Sequence, residues 1–249
     1  VALSREVSLD RIASIRILLS SCGVGGSTVG VMMERSVEST LTCVAILSTG
    51  MTYVPISPTL PSARVKAMVD DAAIGVVIGA RAGSSDSSRF IGVLDWTRGQ
   101  RVAGKHSLTS SYILFTSGST GKPKGVVVGT ESLWHQVSYI CDLTYFHSDS
   151  VTGHRTALSF DPSMQEITLP VMSNSTLCVI PEALGKDGSG FLWMNASFCV
   201  TYFEITPSLM RVLLEDPTIR DATLEAVTIG SEALDISIVR SFYELLPHS

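Results

Sequence analysis

Ten residues concentrate groups that can hold a polyphosphate: Thr116-Ser117-Gly118-Ser119-Thr120-Gly121-Lys122-Pro123-Lys124-Gly125. Glycines let the backbone turn tightly and aim N–H groups at one point. Thr116, Ser117, Ser119 and Thr120 add neutral hydroxyl donors, and Lys122 and Lys124 add positive charge. The stretch departs from the phosphate loop that runs into a helix, which needs Gly-Lys followed by Ser or Thr. Here Lys122 precedes Pro123, and the apolar run Val126-Val127-Val128 follows. A hairpin loop with no ligand is the alternative reading of the same residues. The added lysines and hydroxyls favour phosphate.

The loop does not stand alone. Tyr112-Ile113-Leu114-Phe115, the ten residues and Val126-Val127-Val128 together resemble the phosphate-loop signature of adenylate-forming enzymes. That family includes acyl-CoA synthetases, luciferases and the adenylation domains of nonribosomal peptide synthetases. Thr130 stands where many of them carry His. Further stretches resemble the peptide-synthetase branch. Tyr53-Val54-Pro55-Ile56-Ser57-Pro58 follows a helix end and Gly50, with Ser57 in place of the branch's acidic residue. Ile229-Gly230-Ser231-Glu232-Ala233-Leu234 is similar to its Gly-Gly-Glu-Ala-Leu stretch, with Ser231 for the second Gly. Phe160-Asp161-Pro162-Ser163-Met164-Gln165-Glu166 resembles the Phe-Asp-x-Ser element of amino-acid-activating domains.

The resemblance implies roles. ATP phosphates fall to Thr116, Ser117, Gly118, Ser119, Thr120, Gly121, Lys122 and Lys124. Gly230, Ser231 and Glu232 lie near the nucleotide. Asp161 pairs with the α-ammonium of an amino acid, because an ammonium taken into a pocket requires a fixed anion. Capping of the next helix is the plain alternative for Asp161. Pro162, Gln165, Glu204, Val227 and Ile229 complete the implied pocket floor. Glu204 leaves two readings open: a selector for a basic or hydrogen-bonding side chain, or a partner in a salt bridge. The implied reaction joins an amino-acid carboxylate to ATP, with Mg²⁺, as an aminoacyl-adenylate. The product then passes to the phosphopantetheine thiol of a carrier protein. Carrier and condensation domains of one multidomain chain are the implied partners.

The elements that must position these residues alternate between strand and helix. Apolar periodicity predicts helices over 9–19, 37–47, 61–71, 131–143, 163–172, 207–214 and 235–246. Strands are predicted over 28–33, 74–78, 112–115, 125–129, 156–160, 176–180, 199–203 and 226–229, with 53–58 extended by its prolines. Residues 81–88 read as a polar loop and 185–190 as a turn. This rhythm predicts an α/β fold of mostly parallel sheets flanked by helices. By resemblance these are the stacked sheets of the large N-terminal subdomain of an adenylate-forming enzyme. The resemblance covers residues 34–246 but only the first part of such a unit. The stretch that meets adenine and metal, the ribose-binding Asp, the hinge and the C-terminal catalytic lysine are expected beyond Ser249. Residues 1–249 are thus expected to form a partial adenylation domain without its C-terminal lid, inactive alone.

Composition sets outer bounds. The 249 residues are 45% hydrophobic and 16% charged, with mean hydropathy +0.33, so disorder is excluded. Net charge is -5, which argues against a nucleic-acid partner. No apolar run reaches the roughly 18 residues of a membrane helix, so no membrane partner is expected. Cys22, Cys43, Cys141, Cys178 and Cys199 show no zinc or redox spacing. They are expected as buried free thiols in the reducing cytoplasm, with no resident protein metal site. Two other functions stay open: an acyl- or aryl-CoA ligase, against which Asp161 argues, and a non-catalytic binding module.

Overall fold

Several helix starts follow capping residues already visible in the chain. Ser4 caps α1 (Arg5–Ser21) by accepting the Val7 N–H at 3.3 Å. After β1 (Thr28–Met32), Ser36 and Ser39 form a reciprocal capping box on α2 (Val37–Ser48). Gly50, at φ +71°, turns the chain from that helix into β2 (Thr52–Ile56). Pro61 precedes α3 (Ser62–Asp71), which leads to β3 (Ile74–Ala80) and β4 (Ile91–Leu94). β5 (Ser110–Ser117) and β6 (Pro123–Gly129) follow. This computed structural model describes residues 2–23, 28–80, 91–94, 110–117, 122–185 and 188–246. The loop expected over 81–88 lies outside them.

The second half repeats the alternation. α4 (Thr130–Leu143) precedes β7 (Val151–His154), α5 (Pro162–Ser173) and β8 (Thr176–Val179). Two helices, α6 (Glu182–Gly185) and α7 (Gly188–Phe198), lead to β9 (Tyr202–Ile205) and α8 (Pro207–Glu215). A 3₁₀ turn (Pro217–Asp221), β10 (Ala226–Ile229) and α9 (Ile236–Leu245) follow. Thr206 and Asp235 cap α8 and α9, each accepting a backbone N–H of the first turn.

Two compact units result: Val1–His135 with Leu158–Asp161, and Gln136–Ala157 with Pro162–Ser249. Among the described residues the first holds a six-stranded sheet of order β4-β3-β1-β2-β5-β6. Its inner pairs are parallel, while β3–β4 and β5–β6 are antiparallel. Val54, Ile56, Val65, Met68, Ile74 and Val77 form its buried cluster. The second unit holds a four-stranded, wholly parallel sheet of order β10-β9-β7-β8. Its core packs Phe203 and Ile205 of β9 against α7, α8 and α9, with the Phe191 and Phe203 rings 4.2 Å apart.

The expected mostly parallel α/β fold is what forms, with several local corrections. The strand expected over 156–160 is a turn, and the strand is Val151–His154. The reason is Glu166, whose carboxylate takes the N–H groups of Arg155 and Thr156 that a ladder would have used. The strand expected over 199–203 begins at Tyr202, because α7 runs on to Phe198 and Cys199 turns the chain at φ 50°. Of the turn expected over 185–190, Gly185 ends α6 and residues 188–190 open α7, since burying Phe191, Leu192 and Met194 outweighs the helix cost of nearby glycines, while 186–187 lie outside the described residues. Of the five free thiols only Cys43 is buried; Cys199 is exposed at that turn.

Gly153 explains why β7 was hard to read and easy to break. A Cβ there would lie 1.8 Å from the Phe203 ring. Gly153→Ala is therefore expected to cost about 1–3 kcal/mol or more of stability, measured as the urea midpoint. Phe203→Leu in the same chain should recover part of that loss.

Candidate functional site

In the first unit the loop residues sit at the end of a hairpin. β5 is buried from Ser110 to Leu114 and emerges at Thr116 and Ser117. β6 returns in antiparallel register, with Thr116 opposite Lys124 and Ser117 opposite Pro123. The Thr116 hydroxyl donates to the Lys124 carbonyl at 3.4 Å. Lys122 and Lys124 are exposed. Gly125 lets β6 lie close to β5, since a Cβ would stand 3.0 Å from Ile113 and 3.3 Å from the Phe115 ring. Gly118, Ser119, Thr120 and Gly121 lie outside the described residues. Exposed Asp161 belongs to this unit, and its charge bears on Tyr112 of β5. Burial raises the Tyr112 phenol pKa, and the Asp161 carboxylate raises it further.

In the second unit the parallel sheet presents a polar face. Register places Thr152 of β7 beside Tyr202 of β9, and Glu204 beside Thr228 of β10. Side chains alternate along strands, so Thr152, His154, Tyr202, Glu204 and Thr228 share one face. α5 covers it. Gln165 donates from Nε2 to the Tyr202 hydroxyl at 2.7 Å and accepts at Oε1 from Gln136 Nε2 at 3.2 Å. The Tyr202 hydroxyl also meets Thr228 Oγ1 at 2.8 Å. Burial is the main cause that pushes the Tyr202 phenol pKa well up, and Glu204 adds to it. Val227 and Ile229 pack against the apolar core instead, so the structure does not bring them to the face that holds Gln165. Pro162 opens α5, where a missing N–H costs nothing.

Glu166, one residue beyond Gln165, is the group that sequence reasoning missed. It is fully buried with His154, whose Nδ1–H donates to Glu166 Oε2 at 2.6 Å. The same oxygen accepts the Arg155 and Thr156 N–H groups at 3.1 and 3.0 Å, and Oε1 accepts the Thr156 hydroxyl at 2.7 Å. Its signal was an acid inside an otherwise apolar helix face, which only makes sense paired. Arg155 is part-buried, which lowers its guanidinium pKa against the pull of Glu166; its Nη1 donates to the Glu204 carbonyl at 3.5 Å.

The Gly230-Ser231-Glu232 segment has a defined local role. Gly230 N–H extends the ladder to the Ile205 carbonyl at 3.1 Å. Ser231 stands at φ 71°, a conformation that favours glycine. Glu232 reaches the start of α8, accepting the Ser208 N–H at 3.0 Å and the Ser208 hydroxyl. A carboxylate there offsets the positive end of the helix.

The profile of the family described as AMP-binding enzyme matches residues 9–249. The chain belongs to that family. It is 32% identical over 233 residues to malpinin synthetase of Mortierella alpina, covering 88% of this chain and 3% of that protein. It is 28% identical over 239 residues to tyrocidine synthase 3 of Brevibacillus parabrevis, covering 91% and 4%. Against zwittermicin A synthase ZmaJ of Bacillus cereus it is 26% identical over 247 residues, covering 93% and 47%. The chain thus spans less than half the length of these relatives. Among solved structures it is similar to IdnL1, with TM-score 0.81 and 20% identity over 100% of this chain and 53% of that one. A four-domain nonribosomal peptide synthetase bound to AMP and glycine gives TM-score 0.77 and 23% identity, over 99% and 19%. These likenesses establish the mixed α/β fold. No helix among the described residues is long and apolar enough to cross a membrane.

Removing the Glu166 carboxylate tests the clamp. Glu166→Ala is expected to cost about 3–5 kcal/mol, because it leaves a buried imidazole and two backbone N–H groups without their acceptor. Denaturant unfolding measures it, and an effect near zero would contradict the role.

Proposed function

We propose that the chain is part of the nucleotide-binding large subdomain of an amino-acid adenylation domain in a nonribosomal peptide synthetase. The observation that carries this reading is the donor set Thr116, Ser117, Lys122 and Lys124, exposed at the end of a hairpin whose strand β5 also bears Tyr112 beside Asp161. Hydroxyls and ammonium groups with few internal partners fit phosphate oxygens. Lys122 and Lys124 lower the repulsion between a substrate carboxylate and the α-phosphate. At 4 Å and an effective dielectric of 20 each unit pair repels by about 4 kcal/mol. The same residues stabilise charge gathering on the leaving pyrophosphate. Mg²⁺ would arrive on the phosphate oxygens and add Lewis-acid charge stabilisation.

Asp161 holds the substrate ammonium and orients the carboxylate toward the nucleotide. The aminoacyl group then passes to a phosphopantetheine thiol on a carrier domain, with condensation domains as further partners. The likeness to a solved four-domain nonribosomal peptide synthetase supports this branch. Free thiols and ATP use fit the cytoplasm.

The experiment is amino-acid-dependent pyrophosphate exchange by the full-length protein, wild type, Asp161→Ala and Lys124→Ala. Asp161→Ala should reduce kcat/KM for the amino acid by a hundredfold or more, equivalent to about 3 kcal/mol. Its des-amino analogue should lose far less. Lys124→Ala should impair ATP use while amino-acid binding holds. If Asp161→Ala lowers only the melting temperature and leaves the ratio fixed, Asp161 is a helix cap. If des-amino acids and CoA serve better in the wild type, the protein is an acyl- or aryl-CoA ligase.

A further inference from the structure

Three helices of the second unit end in the same way. α4, α5 and α7 close through Tyr145, Asn174 and Cys199, at φ 51°, 57° and 50°. In each the next residue donates its N–H to the carbonyl five positions back: Phe146 to Cys141, Ser175 to Pro170 and Val200 to Asn195, at 3.0, 3.1 and 3.1 Å. These ends feed β7, β8 and β9, which are neighbours in one parallel sheet. The three closures therefore gather at the amino ends of the strands. The Thr176 N–H on the Ser150 carbonyl and the Thr201 N–H on the Val151 carbonyl join them there. Ligands of a parallel sheet collect at the other, carboxyl end. What the closures carry is apolar and exposed: Leu143, Tyr145, Val171, Met172 and Phe198. One such side chain is ordinary on a surface, but five at one end of a unit are not. Tyr145 is 86% exposed, in a backbone conformation that a bulky residue adopts only at a cost, and little of its ring is buried in return.

The charge around these groups is mostly negative. Asp142, Asp149, Glu215, Asp221 and Glu225 are exposed on the connections that reach the same end. Against them stand exposed Arg220 and His147, whose Nε2 lies 3.8 Å from Glu225. The carboxyl ends of the helices add partial negative charge. We propose that this end of the second unit is a docking surface for a separate polypeptide, through a segment in which lysine or arginine flanks exposed apolar side chains. Charge complementarity selects that chemistry. The acidic rim repels an acidic segment and attracts a basic one, while the apolar centre supplies the area to be buried. A separate partner is the one that gains from such a rim, because steering speeds an encounter by diffusion. A domain tethered in the same chain owes its encounter to the linker instead. The surface lies within one unit and shares no residue with the substrate or nucleotide groups assigned above.

The test uses the full-length protein and fluorescein-labelled peptides of about 18 residues, long enough for an amphipathic helix. One is built of leucine and lysine in amphipathic order. The second replaces its lysines by glutamate, and the third scrambles the leucine and lysine order. Fluorescence anisotropy should show the first bind, and the other two bind more weakly by about tenfold or more. Raising the salt concentration should weaken the first. Asp142→Lys with Asp149→Lys, and Met172→Ser with Phe198→Ser, should each lower its affinity about tenfold, with the melting temperature near wild type. Tyr145→Gly separates docking from stability. Glycine adopts that φ without steric cost, so the melting temperature should hold or rise while the affinity falls about tenfold. Cys199, exposed at the same end, is a native probe. Without peptide it should react with N-ethylmaleimide as an open thiol, and the first peptide should slow that reaction, read by mass spectrometry. If Cys199 is already shielded in the full-length protein alone, the rest of its own chain covers the surface and the proposal is overturned. It is equally overturned if the three peptides bind alike, if none binds, or if the variants leave the affinity unchanged.

Discussion

A buried carboxylate governs how β7, the turn after it and α5 are held together in the second unit. Taking the Glu166 charge out of water costs several kcal/mol unless geometry offsets it. Here it is met by the imidazole of His154, by two successive backbone N–H groups and by the Thr156 hydroxyl. The same bonds end β7 at His154 and close the turn behind it. They also tie α5 to the sheet, since Glu166 and Gln165 are neighbours on that helix. Gln165 therefore has little freedom to choose its partners. The segment 158–161, which carries Asp161, starts from this turn and re-enters the clamped helix at Pro162.

The parallel sheet shows how one strand period serves two purposes. Phe203 and Ile205 point to the core formed with α7, α8 and α9. Tyr202 and Glu204, one step out of phase, point to the polar face. The aromatic core gives stability without specificity. The polar face holds groups that are expensive to bury singly and that become acceptable only as a connected set. Gly153 stands where the two demands meet, because Phe203 occupies the space a side chain would need.

The first unit solves a different problem. Its β5–β6 hairpin is anchored by the buried half of β5 and stays exposed at the end where Thr116, Ser117, Lys122 and Lys124 lie. The charged and hydroxyl groups there remain in water. Burying them in the protein itself would carry a desolvation cost with no compensating partner. Exposed polar groups and the buried anchor thus occupy opposite ends of one strand.

Much was legible in the linear chain. Alternating apolar segments and Ser, Thr, Asp and Pro caps act within a few residues, so the α/β alternation and most helix bounds could be read locally. The strands on either side of 118–121 were legible because apolar runs flank a stretch of glycines, hydroxyls and lysines. Val227 and Ile229 show the limit. Their apolar character suited either face, and only the register of β10 on β9 decided for the core. The strand expected over 156–160 failed for a related reason. Its N–H groups were taken by Glu166, ten or so residues on, which local propensity cannot anticipate. Gln136, Gln165, Tyr202 and Thr228 span four elements, and no spacing in the sequence links them. The amino-acid order determined which segments form strands and helices, since backbone capping and side-chain period are short-range. Tertiary packing decided which polar groups meet, because a buried hydrogen bond pays off only when a distant partner arrives to replace water.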